Sequence, residues 1–465
     1  KIDLFFFEVD ETFDITPEIT LVEFEIPFTR APFLANESEP GTLLLNMGYF
    51  SEQRLNNDLT DFSEHFTVTG NSNKLTVSAT VGGDTFVQEY TTNNGSGWQK
   101  IVAIGGAGDD VIDLSGVSGL EYEIEGGIGN DTLIAGNGAA VIHGGSGDDK
   151  ITGTIHDDEI YGEEGNDEIH GEGGNDIIFG DSGTISDESI RAFVNPGDGR
   201  DTIFGVDGSD MLIGTGGEDT IEGGAGIDLI VGDGARISYL NDTTKALSNI
   251  EKIKGTETAD VAYADTLKGN GDNDIIYAGL GNDYIDGGSG DDRLFGQAGF
   301  DEIHGGSGAD FIYGDGGKPE DTDGGNFVTM GIDIYDDFAR LDLVFEAKPS
   351  GDGEADIIYG DSGADTIFAS GGNDEVHGGS DGDTIFAGSG VDTVYGDSGD
   401  DTVYGQGEPD IIYGGAGDDE LDGGAGNDLV WGDDGVLSNT GSDSWNPVVY
   451  GANLPDDYLF GTTVS

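Results

Sequence analysis

Through most of this chain every ninth residue is aspartate, and two places after each aspartate comes an aliphatic residue. Between residues 360 and 431 the aspartates are Asp365, Asp374, Asp383, Asp392, Asp401, Asp410, Asp419 and Asp428. Ile367, Val376, Ile385, Val394, Val403, Ile412, Leu421 and Val430 keep the same step. Gly423 followed by Gly424-Ala425-Gly426-Asn427-Asp428-Leu429-Val430 spells the unit in full: G-G-x-G-x-D-x-U-x, with U aliphatic. About 25 copies run in register, and in each the eighth position is Ile, Leu or Val. So short a period, repeated so often, restricts the chain to a stack of like units that each pack on their neighbours.

Glycine at positions one to four enters positive φ without a Cβ clash, so the chain can turn sharply there. Turn carbonyls and the position-six Asp offer oxygen ligands, the set that a hard cation such as Ca²⁺ takes. Positions seven to nine, as in Thr202-Ile203-Phe204 after Asp201, suit a short strand whose middle side chain points inward. Two nonapeptides then close one coil of a flattened spiral. The fold class is all-β, a solenoid of two parallel sheets with an aliphatic ribbon between them and cations in the turns along both edges. At two strands per coil the repeats predict roughly 12 to 13 coils and a rod core of about 60 Å.

The repeats fall in four blocks. The first, residues 105–183, carries Asp110, Asp131, Asp149, Asp158, Asp167 and Asp176 as candidate metal ligands, and one degenerate copy in which Ala140 fills the Asp slot. Block two, residues 197–234, carries Asp201, Asp210, Asp219 and Asp228. Block three, residues 259–317, carries Asp265, Asp274, Asp283, Asp292, Asp301 and Asp310. Residues 351–435 form the fourth, which adds Asp356 to the eight aspartates named first. Each block ends in a Gly-Asp pair, at Asp181, Asp233, Asp315 and Asp433. Insertions 184–196, 235–258 and 318–350 follow, after which the phase is re-entered, so they read as excursions from a continuing spiral. Within them, 244–254 is predicted as a short helix and 332–345 as a hairpin or edge strand.

Residues 1–100 are poorer in glycine and dense in aromatics, as in Leu4-Phe5-Phe6-Phe7. Segments 75–81 and 85–90 around Gly82-Gly83 read as a β-hairpin. A small β-rich cap on the first coil, or the end of a preceding domain, is the expectation. Residues 436–465 stand outside the repeat. No signal-like segment opens the chain at Lys1, so it is a mature form, a product exported another way, or a segment of something longer.

With 94 acidic against 17 basic side chains the formal charge is −77, and a fold this acidic repels itself unless counter-ions intervene. One Ca²⁺ per repeat, roughly 20 ions, would cancel about half of that charge. The acidity argues against nucleic acid and anionic lipid as direct partners, since both are met with Lys and Arg. There are no cysteines, so neither disulfides nor thiolate sites are available, and no apolar run is long enough to insert into a membrane.

Apparent catalytic motifs dissolve into the period. Gly180-Asp181-Ser182-Gly183 looks like a protease nucleophile loop but recurs at 360–363 and 396–399 as repeat positions one to four. Neither H-E-x-x-H nor G-x-S-x-G occurs. Pairs such as Asp148-Asp149 and Asp418-Asp419 belong to the calcium turns, and His143, His170, His304 and His377 all fall at position nine, an outward strand site that predicts solvated residues. Tyr395, Tyr404, Tyr413 and Trp431 share that position, which predicts ring ladders on the outer faces: a stiffening feature, or a docking surface for a neighbouring copy or a glycan. No catalytic residues are expected.

Residues 105–435 resemble the RTX (haemolysin-type calcium-binding) repeats of proteins exported by Gram-negative bacteria. The resemblance implies a parallel β-roll, folding triggered by external Ca²⁺, secretion through a type I channel, and a C-terminal secretion signal, for which 454–465 is the candidate. Repeat blocks that end in Gly-Asp and an insertion look like large multi-block RTX proteins of surface layers and adhesins. The expected function is therefore a non-enzymatic extracellular structural protein that associates with itself or with a cell-surface polymer. The alternative is the repeat and secretion portion of a toxin or hydrolase whose catalytic domain lies outside these residues.

Overall fold

The computed structural model describes residues 34–47, 63–81, 84–92, 97–186, 189–193, 195, 198–239, 250–255, 263–315, 353–432 and 436–437. Each repeat contributes one strand, and successive repeats alternate between two sheets of 17 strands. Thr384–Ser389 pairs in parallel with Thr366–Gly371 on one side and Thr402–Gln406 on the other, with Ile367, Ile385 and Val403 opposite one another. In the facing sheet Glu375–Ser380 lies between Ile357–Ser362 and Thr393–Ser398 in the same way. Position-eight residues of both sheets, Ile367, Val376, Ile385 and Val394 among them, are wholly buried and form one continuous apolar ribbon along the axis. Burying such a side chain contributes about 2 kcal/mol, and each coil supplies two.

Most strands are longer than the three residues expected, because pairing resumes after position one: Ser370 faces Gly388 and Gly371 faces Ser389, whereas Ile177–Phe179 and Leu429–Trp431 keep three. Position two takes positive φ at many residues other than glycine, 78° at Glu163, 86° at Val206 and 92° at Thr215. For β-branched Val206 and Thr215 that conformation costs energy which the rest of the coil must offset. At position four the reason for glycine is steric. Gly390 has φ 134°, and a Cβ there would collide with the carbonyl oxygen of Gly372 one coil below.

The spiral runs to about 15 coils, or about 70 Å. The excess over the nonapeptide count comes from its N-terminal end. Thr42–Leu45 pairs in parallel with Lys100–Ala107, and His65–Asn71 with Val111–Ser118, so residues before 100 already lie in the two sheets. The next step is 21 residues rather than 18, with Ile101 opposite Tyr122 and Ile112 opposite Leu133. Antiparallel strands then finish each sheet: Ala35–Glu39 on one, and the hairpin of Lys74–Val81 with Asp84–Tyr90 on the other.

Two insertions combine into a third element. Ser182–Ile185, Ser189–Phe193, Ala235–Tyr239 and Ile250–Gly255 form one antiparallel sheet. This corrects the helix predicted over 244–254, since its described part, from residue 250, is strand. Ile253 pairs with Ile237 there, and tertiary pairing overrides the weak local preference. The segment 332–345 lies outside the described residues. Ile190, Ala192 and Ile237 pack on Tyr161, Phe179, Ile213, Val231, Tyr277 and Phe295, making a second apolar core on the outside of one large sheet. Position-nine residues that a bare solenoid would expose are buried here. No helix long and apolar enough to cross a membrane occurs among the described residues.

Candidate metal centres

All 25 candidate aspartates fall into two columns, one along each edge of the spiral. Asp110, Asp131, Asp149, Asp167, Asp201, Asp219, Asp265, Asp283, Asp301, Asp356, Asp374, Asp392, Asp410 and Asp428 make the first. Asp158, Asp176, Asp210, Asp228, Asp274, Asp292, Asp310, Asp365, Asp383, Asp401 and Asp419 make the second. In each column the Oδ1 of one Asp accepts the backbone N–H of the Asp one coil before it, as from Asp365 to Asp383 at 2.9 Å. Insertions do not break the ladder. Asp167 N–H reaches Asp201 at 2.8 Å, Asp219 N–H reaches Asp265 at 2.9 Å, and Asp301 N–H reaches Asp356 at 2.8 Å.

Positions six and eight share a face, so the carboxylates point inward at the corners of the core. Asp383 is 1% exposed, as deep as Ile385. Their second oxygen has no hydrogen-bond donor in Asp149, Asp167, Asp201, Asp292 and Asp383, among many others. That oxygen shares its space with backbone. A Cβ built on Gly378 would lie 2.5 Å from Asp383 Oδ2 and 2.8 Å from the carbonyl oxygen of Gly396 in the next coil. Gly287 repeats this with Asp292 Oδ2 at 2.5 Å and Gly305 O at 2.6 Å. Among the described residues no three carboxylate or imidazole side chains gather round one point. A cation here would take a few Asp oxygens and complete its shell with turn carbonyls, a donor set that suits Ca²⁺.

Electrostatics agrees. Burial pushes the Asp149 carboxyl up to about 8, Asp176 and Asp201 up to about 9 and Asp383 up to about 6, with neighbouring aspartates adding to the rise. The backbone N–H at Oδ1 pulls each value down, but less than burial raises it. These values stand above the ordinary 3.8, so the folded chain without a cation holds more protons than the unfolded one. Its stability is then full below that value and falls as pH rises through about 6 to 9. In chelator, the β-sheet circular dichroism is accordingly expected to be stronger near pH 3 than at pH 7; an increase with pH would contradict the burial of these carboxylates.

Several positions depart from the simple repeat. At the Asp158 turn Thr154-Ile155-His156 stands in place of Gly-x-Gly, and Thr154 N–H binds Asp158 Oδ2 at 2.6 Å while its hydroxyl binds Oδ1 at 3.1 Å. That carboxylate is already served and has the least need of an ion. Ala140 occupies the Asp slot above it, and its N–H reaches Asp158 Oδ1 at 2.7 Å. Tyr122 and Ile101 fill the same slot in the preceding coils. The paired aspartates separate: Asp149 is inside, whereas Asp148 is exposed and accepts both the backbone and side-chain N–H of Asn166, at 3.0 and 2.9 Å. Position five thus forms a second, outer ladder, repeated from Asp418 N–H to Asp400 at 2.9 Å. The frequent Asn or Asp at that position was its signal in the sequence.

The Gly-Asp block ends have a structural role. Asp181 is fully buried and accepts Gly199 N–H at 3.3 Å and Gly216 N–H at 3.1 Å, closing the turn from which the first insertion leaves. Asp233 accepts Leu280 N–H at 2.6 Å and does the same for the second. The position-nine histidines are not simply solvated. His377 stacks between Tyr359 and Tyr395 at 4.9 and 4.5 Å, with Glu375 and Asp397 at 3.3 and 3.2 Å from its two nitrogens. The stack continues through Tyr413 to Trp431 at 4.9 and 4.6 Å, while Tyr404 stacks on Phe386 in the opposite sheet.

The model of the RTX calcium-binding nonapeptide repeat, four copies long, matches at residues 125–155, 152–184, 196–230, 261–294, 286–318, 350–385, 377–408 and 404–436. No curated relative matches the chain. The matched segments stop at each insertion and resume with the Asp columns on its far side. They span just over half of the residues, and the chain belongs to the family of RTX calcium-binding nonapeptide repeats.

Proposed function

We propose that this chain is a calcium-stiffened extracellular rod that acts by assembly and not by catalysis, in a surface layer, filament, matrix or adhesin of a Gram-negative bacterium. The observation that carries the reading is the pair of Asp columns. Buried carboxylates that keep an unserved oxygen, as Asp149, Asp201 and Asp383 do, are costly unless a cation sits beside them. The position-six aspartates would hold it through Oδ2, and the glycine-turn carbonyls would complete the shell. On the order of 20 ions would then neutralise the columns and lock coil to coil.

Assembly draws its support from the outer faces. The rings from His304 to Trp431 stand face to face along the rod, 4.5 to 4.9 Å apart. Their own neighbours occupy their faces, and outward they present edges. That geometry suits contact with a protein surface better than stacking on a sugar. In Ca²⁺ the chain is expected to form reversible oligomers by light scattering, weakened when Tyr395, Tyr404 and Tyr413 are together changed to Ser. A strict monomer at high concentration that also binds no envelope glycan would count against the reading, and hydrolase activity in the purified chain would overturn it.

A further inference from the structure

Five of the 17 basic residues fall in insertions 184–196 and 235–258, which also hold five acids, so the whole charge of −77 lies outside them. Strand register concentrates these bases further. Arg191 lies opposite Arg236, and Arg236 opposite Lys254, which places three cationic residues in one row across the antiparallel sheet. Lys252, opposite Ser238, stands in the next row on the same face. The intervening row is Ile190, Ile237 and Ile253, of which Ile190 and Ile237 are buried against the rod. Alternation along the strands therefore sets Arg191 away from the rod, and the register positions of Arg236 and Lys254 fall in the same row as Arg191. Arg191 is exposed there, and Phe193 on the same face is 40% exposed. Thr184 and Ser182, opposite Arg191 and Phe193, extend it. None of the paired positions on this face is Asp or Glu.

Like charges set directly opposite one another destabilise a sheet. Here the register collects them in neighbouring rows of one small sheet, in a chain otherwise dominated by carboxylates. We propose that this face docks onto the acidic flank of a second copy of the chain, an inference that rests on the assembly reading above. Charge selects the occupant, because outside these two insertions a copy carries nothing but net negative surface to offer. The outer face of the opposite large sheet presents two acidic rows that flank its ring stack, Glu302 and Glu375 on one side and Asp361 and Asp397 on the other, with side chains 48%, 51%, 44% and 43% exposed. The basic row supplies steering and register to such a contact, and Phe193 gives it an apolar anchor. Exposed charges are screened within about 10 Å at 0.1 M salt, so the contact weakens as salt rises.

The test is sedimentation velocity of the whole chain in Ca²⁺ over a range of salt, with circular dichroism to confirm folding. Wild type is compared with Arg191→Gln/Arg236→Gln/Lys254→Gln and with the corresponding triple substitution to Glu. Wild type should associate at low salt and dissociate as salt is raised. The Gln variant should associate at least about tenfold more weakly, with little remaining salt dependence, and the Glu variant should stay monomeric. A folded Gln variant that associates as tightly as wild type overturns this inference and leaves the assembly reading standing. A wild type monomeric at every salt concentration removes both. If the variants lose binding to lipopolysaccharide vesicles yet associate as wild type does, the occupant is an anionic polymer, and the second copy is ruled out.

Discussion

Removing Ca²⁺ with EGTA at neutral pH is expected to abolish the β-sheet circular dichroism of the repeats and to expand the chain in small-angle scattering. Two columns of aspartates, nearly all buried and many with one oxygen unserved, would then have to be charged beside like charges one coil away or protonated above their ordinary range, and either state costs stability. Their mutual repulsion adds to that of a chain carrying −77 overall. The apolar ribbon is one residue wide per strand and has little with which to resist. Adding Ca²⁺ back should restore the signal. Mg²⁺ should do so far less well, because it demands octahedral geometry and gives up its water reluctantly, whereas turn carbonyls offer an irregular shell. A spectrum indifferent to EGTA would sink the calcium reading of the columns.

The second large effect separates position six from position eight. Ile385→Asp places a carboxylate in the middle of the ribbon, where neither carbonyl nor cation is at hand, and should cost several kcal/mol with a steep fall in Tm even in saturating Ca²⁺. Asp383→Ala removes the acceptor of Asp365 N–H and one Oδ2, a loss of about 1–3 kcal/mol with Ca²⁺ present. Distant coils should stay folded, as nearest-neighbour stacking allows. In chelator the sign changes: Asp383→Ala then deletes a buried carboxylate that burial has pushed up to about 6, and the cost should shrink or reverse. Thermal melts of both variants in Ca²⁺ and in EGTA decide it. Equal behaviour of the two in Ca²⁺ would contradict their placement.

The period made both columns legible. Asp383 and Ile385 declare their corner and core positions because each recurs at a spacing of nine, and Ala140 is recognisable as a gap for the same reason. Legibility stopped where the period stops. The covering sheet depends on Ile190 of one insertion meeting Ile237 of another, a contact between segments with no shared local pattern. The burial of Phe179 and Tyr277 follows from that contact and from nothing in their own repeats. The extra coils at the N-terminal end were hidden because Ile101 and Tyr122 occupy the Asp slot and the step there is 21 residues. The partner of Asp158 was missed for a subtler reason: Thr154 replaces a glycine, and only the folded turn reveals that its amide and hydroxyl serve the carboxylate.

The Asp ladder also gives the rod an arrow. Every Oδ1 in both columns accepts from the coil before it, never from the coil after it, so all these bonds point one way. A cut between two coils therefore makes two unlike surfaces. The N-terminal piece ends in inward backbone donors at its last position-six aspartates, with the oppositely directed position-five acceptors outside them, and the C-terminal piece begins with buried carboxylate acceptors. Water and cations solvate the acceptor surface readily, while donors recessed at the corners are poorly reached. Truncations that shorten the rod from its C-terminal side should fray, and those from its N-terminal side should hold.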